Sequence, residues 1–286
     1  GDGVVLQGVS GKANITANFS EVDVDDYEFE FTVTDTGITD TASISVTEEE
    51  DVDAEFLGGS TVRVAQADVA VLPIQLENTD EAKVNIGYNE DVNFNATVSI
   101  EDGNDDGRVT LQMNTYMTGR TDMPAYSNLA SDVAANQTLE DSLDVVDNED
   151  DITGSYMAPL RGTAGIDGTM EPATYELNVT TDTDEELTVG ALNIVDPSVD
   201  GITSWTMPGE AYDDVEQDET AELYEYVNSG ELTQDNSVAE NDVLVYQIQT
   251  TSANGALEYY DASPEADGSD DDDYSEAFAT MVTDND

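Results

Sequence analysis

Period two governs this chain. Tyr27, Phe29, Phe31 and Val33 alternate with Glu28, Glu30, Thr32 and Thr34. Val92, Phe94, Ala96, Val98 and Ile100 alternate with Asn93, Asn95, Thr97 and Ser99, and Val109, Leu111 and Met113 follow at the same spacing. Tyr175, Leu177 and Val179 alternate with Glu176, Asn178 and Thr180. Successive side chains of a strand point to opposite faces, so each run reads as a strand with one buried face and one wet face. Turn chemistry separates the runs, as at Asp102-Gly103 and Asp106-Gly107. Many such strands with regular turns predict an all-β chain of β-sandwich domains, since each half-apolar sheet must cover its buried face with another layer.

Three regions differ in character. Residues 1–51 carry predicted strands at 13–19, 27–34 and 41–46, too few for a sandwich, and read as a partial domain. Residues 48–53 form a short acidic joint. Residues 52–196 are the largest unit, with strands at 61–64, 69–76, 83–88, 92–100, 108–115, 174–180 and 187–195. Within it, 118–170 is rich in Asp, Ser, Asn and Gly and reads as a long irregular insertion, the kind of excursion that often carries contacts. Residues 197–286 read as a mixed, mostly-β domain. There 218–227 predicts a short helix that Gly230 ends, Val243, Val245 and Ile248 predict a strand, and 267–273 predicts a solvated acidic loop. Trp205 is expected to be a packing anchor near the joint, and Tyr259 and Tyr260 sheet or rim residues. The chain opens at Gly1 without Met and reads as a processed product or a fragment.

Charge sets the medium. The 286 residues hold 66 Asp plus Glu against six Lys plus Arg, a net charge of −60. At ordinary ionic strength such a chain repels itself and resists compaction. At about 1 M salt the Debye length falls to roughly 3 Å, and neighbouring carboxylates hardly feel one another. The surface is therefore suited to brine and points to a halophile. Disorder is the competing reading of such composition, and the clean alternation of apolar residues argues against it. The same charge excludes nucleic acid, which needs a basic face, and speaks against an anionic membrane surface. No apolar run is long enough to span a bilayer, so no direct membrane insertion is expected in this segment.

The chain has no Cys and no His. Ser-His-Asp and Cys-His catalysis and ordinary zinc sites are therefore out. Carboxylate, hydroxyl and oxygen-ligand chemistry remains, and no residue stands out as catalytic. The sharpest motif is Asp102-Gly103-Asn104-Asp105-Asp106-Gly107. Asp102, Asn104 and Asp106 sit two apart, as oxygen ligands do in the first half of a calcium loop, and Gly107 permits the sharp turn. The twelfth position of such a loop should be acidic, and here it is Met113. An Asx-rich hairpin turn in a brine protein explains the same residues, and both readings stand. N-x-Ser/Thr tripeptides occur at Asn14, Asn18, Asn95, Asn136 and Asn178. Asn14, Asn18, Asn95 and Asn178 fall on the polar phase of their strands, where an N-linked glycan is expected to find room.

The middle unit resembles the sandwich modules of haloarchaeal surface glycoproteins of the S-layer type. The resemblance rests on Phe94-Asn95-Ala96-Thr97-Val98, the Asp/Gly-rich turn, and Arg108-Val109-Thr110-Leu111-Gln112-Met113-Asn114-Thr115. It continues through Pro172-Ala173-Thr174-Tyr175-Glu176-Leu177-Asn178-Val179 and Leu187-Thr188-Val189-Gly190-Ala191-Leu192. A second match runs from Asp235 to Val245, and the partial first domain resembles the family's Ig-like repeat only generically. The resemblance implies tandem Ig-like β-sandwich domains in a secreted, N-glycosylated envelope protein. Such a protein binds divalent cations such as Ca²⁺ and assembles with copies of itself into a lattice at the cell surface. It implies no enzymatic role. A filament or viral spike subunit fits similar modules, and an extracellular carbohydrate-binding or hydrolytic module is the remaining alternative.

Overall fold

The computed structural model describes residues 19, 22–48, 51–87, 92, 94–157, 165–212, 220–261, 277, 278, 280 and 281. They form two compact units, 1–51 and 52–286.

In the first unit β1 (Asp25–Val33) and β2 (Ile38–Val46) make an antiparallel hairpin in which Tyr27 faces Ile44 and Phe31 faces Asp40. Gly37, at φ +65°, closes the turn by donating its N–H to the Val33 carbonyl at 2.8 Å. The strand expected at 13–19 lies almost wholly outside the described residues.

The second unit is built on two facing sheets. One has six strands in the order β10-β7-β6-β11-β12-β4, and the other four in the order β3-β5-β8-β9. The strands are β3 (Asp53–Phe56), β4 (Thr61–Ala65), β5 (Val69–Glu77), β6 (Glu81–Ile86), β7 (Ala96–Glu101), β8 (Arg108–Asn114), β9 (Leu143–Val145), β10 (Asp151–Met157), β11 (Ala173–Thr180) and β12 (Glu186–Val195). All neighbours run antiparallel except β12 and β4. The alternation works as the sequence requires. Leu72, Ile74, Val109, Leu111 and Met113 point inward from the small sheet. Val84, Ile86, Val98, Ile100, Leu177, Val179 and Leu192 meet them from the large one, all at most 1% exposed. Truncating a side chain so enclosed, such as Leu111→Ala, costs about 2–5 kcal/mol.

The stretch 118–170 is not an irregular excursion. It holds a short 3₁₀ turn at Pro124–Tyr126, a helix α1 (Ser131–Asp141), and the strands β9 and β10, which form one edge of each sheet. Helix α1 seats Ala134, Ala135, Thr138 and Leu139 against the sandwich, a stripe too small and too polar to read as amphipathic. Likewise β3 begins inside the expected acidic joint, because Ala54 and Phe56 pair with β5 and turn into the core.

Beyond residue 197 a third sheet, in the order β14-β13-β15, comprises β13 (Val199–Met207), β14 (Thr233–Gln234) and β15 (Val243–Thr250). Half-buried Trp205 lies on β13 opposite Val245 and Gln234. Two helices precede β14, α2 (Gly209–Tyr212) and the expected α3 (Thr220–Ser229), which ends at Gly230 in a left-handed conformation (φ +82°). The sheets change at residue 197, yet the compact unit does not end there. Helix α4 (Asn254–Asp261) returns to the sandwich and places Tyr259 and Tyr260 against Tyr116, with ring centroids 5.8 and 6.4 Å away. These tyrosines are helical, not sheet residues. The expected acidic loop at 267–273 lies outside the described residues.

Candidate cation-binding corner and glycosylation sites

The Asp102 motif does not form a hairpin. Its flanking strands β7 and β8 belong to different sheets, so residues 102–107 are a corner by which the chain crosses the sandwich. Asp102 is only 3% exposed. Its N–H donates to the Asp80 carbonyl at 2.7 Å, which pins the start of the corner. Its carboxylate folds the corner around itself, accepting the Asp106 N–H on Oδ1 at 3.3 Å and the Gly107 N–H on Oδ2 at 2.7 Å. Asp105 and Gly107 adopt left-handed backbone (φ +58° and +78°), the first tolerated by a short polar side chain and the second free for glycine.

Asn104 is held from both ends. Its Oδ1 accepts the Asp106 N–H at 2.9 Å, and its Nδ2 donates to Asp147 Oδ2 at 3.1 Å. Asp106 contributes its amide to the corner while the residue itself stays exposed. Asp147 comes from the connection between β9 and β10, as does Asp150, and sequence reasoning assigned neither a role. Asp150 is 7% exposed, and its Oδ1 is buried without a hydrogen-bond partner. Burial raises its carboxyl above the usual range, and the Asp102, Asp147 and Asp106 carboxylates push the same way against the Gly103 N–H. No sequence spacing joins position 150 to 102, so only the fold reveals their proximity. Among the described residues no three acidic side chains are gathered tightly enough to enclose an ion on carboxylates alone.

Of the sequons, Asn14 and Asn18 lie outside the described residues. Asn95 and Asn178 lie on the outer face of the large sheet, lining with Asn85, Thr97, Thr180 and Glu186 a shallow cavity of about 400 Å³. Their exposure is less than the alternation suggests. Asn95 is 9% exposed, and Asn178 donates Nδ2 to Glu186 Oε2 at 2.7 Å. Asn136 is exposed on α1, with Nδ2 donating to the Asp132 carbonyl at 2.9 Å and Oδ1 accepting the Met157 N–H at 2.8 Å.

A larger hollow of about 550 Å³ lies where α4 meets the sandwich, lined by Asn114, Tyr126, Asp141, Glu258 and Tyr259 among others. Its polar groups are mutually engaged. Tyr126 donates to Asp141, and Asn114 donates to Glu258 at 3.1 Å.

Residues 44–182 match a family described as a domain of unknown function, DUF7827. Over 261 residues, 89% of the chain, the sequence is 32% identical to cell surface glycoprotein 1 of Haloarcula hispanica. The chain is a relative of the haloarchaeal cell surface glycoproteins. Cell surface glycoprotein 2 of the same organism is 33% identical over 204 residues, and the cell surface glycoprotein of Haloferax gibbonsii 29% identical over 199, each match covering 70% of the chain. This glycoprotein relative spans 26% of the length of the first protein and 20% of each of the others. Among the described residues no helix is long and apolar enough to cross a membrane.

Proposed function

We propose that this chain is part of a structural cell-surface protein of a halophile, one that assembles with copies of itself into a protective surface layer. The observation that carries the reading is the relationship to cell surface glycoproteins over 89% of the chain. Two features support it. Interdigitated sheets make a stiff module, suited to bearing load in a coat. A net charge of −60 allows copies to meet only where salt screens the carboxylates or cations bridge them. Divalent cations and N-linked glycans are the groups such a coat would carry, and Asn136 is the most open of the described sequons.

The test is localisation together with order. Antibody against this chain should label intact cells, and electron cryotomography of the envelope should place the label on a two-dimensional array. Label confined to broken cells would overturn the surface reading. Label on helical filaments would replace the layer by a filament.

A further inference from the structure

The corner at residues 102–107 has the oxygen spacing of a calcium loop but no acid at its far end, since Met113 is fully buried inside β8. The fold brings one from elsewhere. Residues 146–150 run from β9 in the small sheet to β10 in the large one, so they cross the sandwich just as 102–107 do. The two crossings touch. A Cβ on Gly103 would stand 1.9 Å from the Glu149 carbonyl oxygen, an approach only glycine allows. Beside that contact lies Asp150, 93% buried (7% exposed), with an Oδ1 that meets no donor. A buried carboxylate oxygen that no protein donor meets is unfavourable to retain, and a cation meeting it would offset that cost.

We propose that Asp150 completes a divalent-cation site with Asp102 and Asn104, of the class that takes Ca²⁺ on hard oxygen ligands. Asp102 and Asn104 are already oriented. The Asp102 carboxylate is aimed by the Asp106 and Gly107 amides. Asp147 holds Nδ2 of Asn104, which turns Oδ1 into the corner. Two carboxylates and one amide oxygen suit Ca²⁺, which accepts water in its remaining positions. They do not suit zinc, which prefers nitrogen and sulfur. The ion would fasten the two inter-sheet crossings to each other, so its effect is on the stability of one chain. The site is intramolecular and does not rest on the surface-layer reading.

The experiment is thermal melting of the full chain in constant multimolar NaCl, with CaCl₂ or with EGTA. Asp150→Asn is compared with Asp196→Asn, which makes the same charge change at an exposed position. A specific site raises Tm by several degrees, saturably, in the unmutated chain and in D196N. D150N loses that rise, and in EGTA it melts no lower than the unmutated chain, because it no longer buries an unpartnered charge. Calorimetric titration of the unmutated chain gives an independent reading, with one saturable Ca²⁺ site per chain expected. Three results would overturn the site: a Tm indifferent to Ca²⁺, a D150N variant with the full response, or a titration with no saturable site.

Discussion

The side-chain amide of Asn114 donates to the backbone carbonyl of Gly255 at 2.9 Å, across 141 residues of sequence. Asn114 ends β8, and Gly255 lies in the first turn of α4, so one buried amide ties the last described helix of eight residues to the sandwich. The same side chain donates to Glu258 at 3.1 Å and accepts the Tyr116 N–H at 3.0 Å. Burial raises the Glu258 carboxyl, and the bond from Asn114 works against that rise.

Asn114→Ala removes the bond to the Gly255 carbonyl and leaves the Tyr116 amide without its side-chain acceptor. The expected loss is roughly 1–3 kcal/mol, the usual cost of leaving buried partners unsatisfied. Hydrogen exchange would locate the effect, with faster exchange at 254–261 and little change in the strands far from α4. Uniform acceleration across both sheets would contradict the local role.

Gly103→Ala places a methyl group 1.9 Å from the Glu149 carbonyl oxygen, a backbone atom that no rotamer change can move aside. The two crossings must separate, at about 1–3 kcal/mol by analogy with overpacked cores. Denaturant unfolding should show a lower midpoint at unchanged slope. An unchanged midpoint would mean that the crossings are not held together.

Tyr175 gives a pH dependence. The residue is 4% exposed, and its hydroxyl donates to the Glu171 carbonyl at 2.9 Å. Burial, and then the Glu171 carboxylate, push its phenol from 10.0 up to about 12. The folded state therefore holds this proton more tightly than the unfolded state. The stabilisation is complete below pH 10 and is lost as pH rises towards 12, by roughly 3 kcal/mol. Tyr175→Phe should flatten that part of the stability profile. A variant as alkali-sensitive as the unmutated chain would assign the loss to other groups.

Glycopeptide mass spectrometry of the native protein should find the Asn136 peptide modified and the Asn95 peptide bare. The reason is access, since Asn136 is exposed on a helix and Asn95 is 9% exposed within a polar cavity. Glycan on Asn95 with none on Asn136 would show that attachment precedes folding of the large sheet.

What the sequence made legible follows from period. Val98 and Ile100, or Leu111 and Met113, announce a strand because alternate burial writes itself into alternate residues. Helix α1 escaped because Ala134, Ala135 and Thr138 bury little apolar surface each, and their environment comes from the sandwich. Strand β10 escaped because its edge position leaves most residues exposed, with Gly154 beside a register shift. Helix α4 is set by Asn114, far away in the chain. Two of the three proposed cation ligands were readable, since Asp102 and Asn104 keep ligand spacing. Asp150 was not, because two inter-sheet crossings meet only in the folded chain.

In the proposed surface layer, copies of this acidic protein would join only through screening or bridging ions. The most direct measurement uses native envelopes of the organism, washed free of monovalent salt and of divalent ions by chelator, then sedimented and probed for this chain. The expected result is release of the protein into the supernatant, with each treatment alone releasing less. Protein that stays with the pelleted envelope as an intact array after both treatments would contradict ion-dependent assembly.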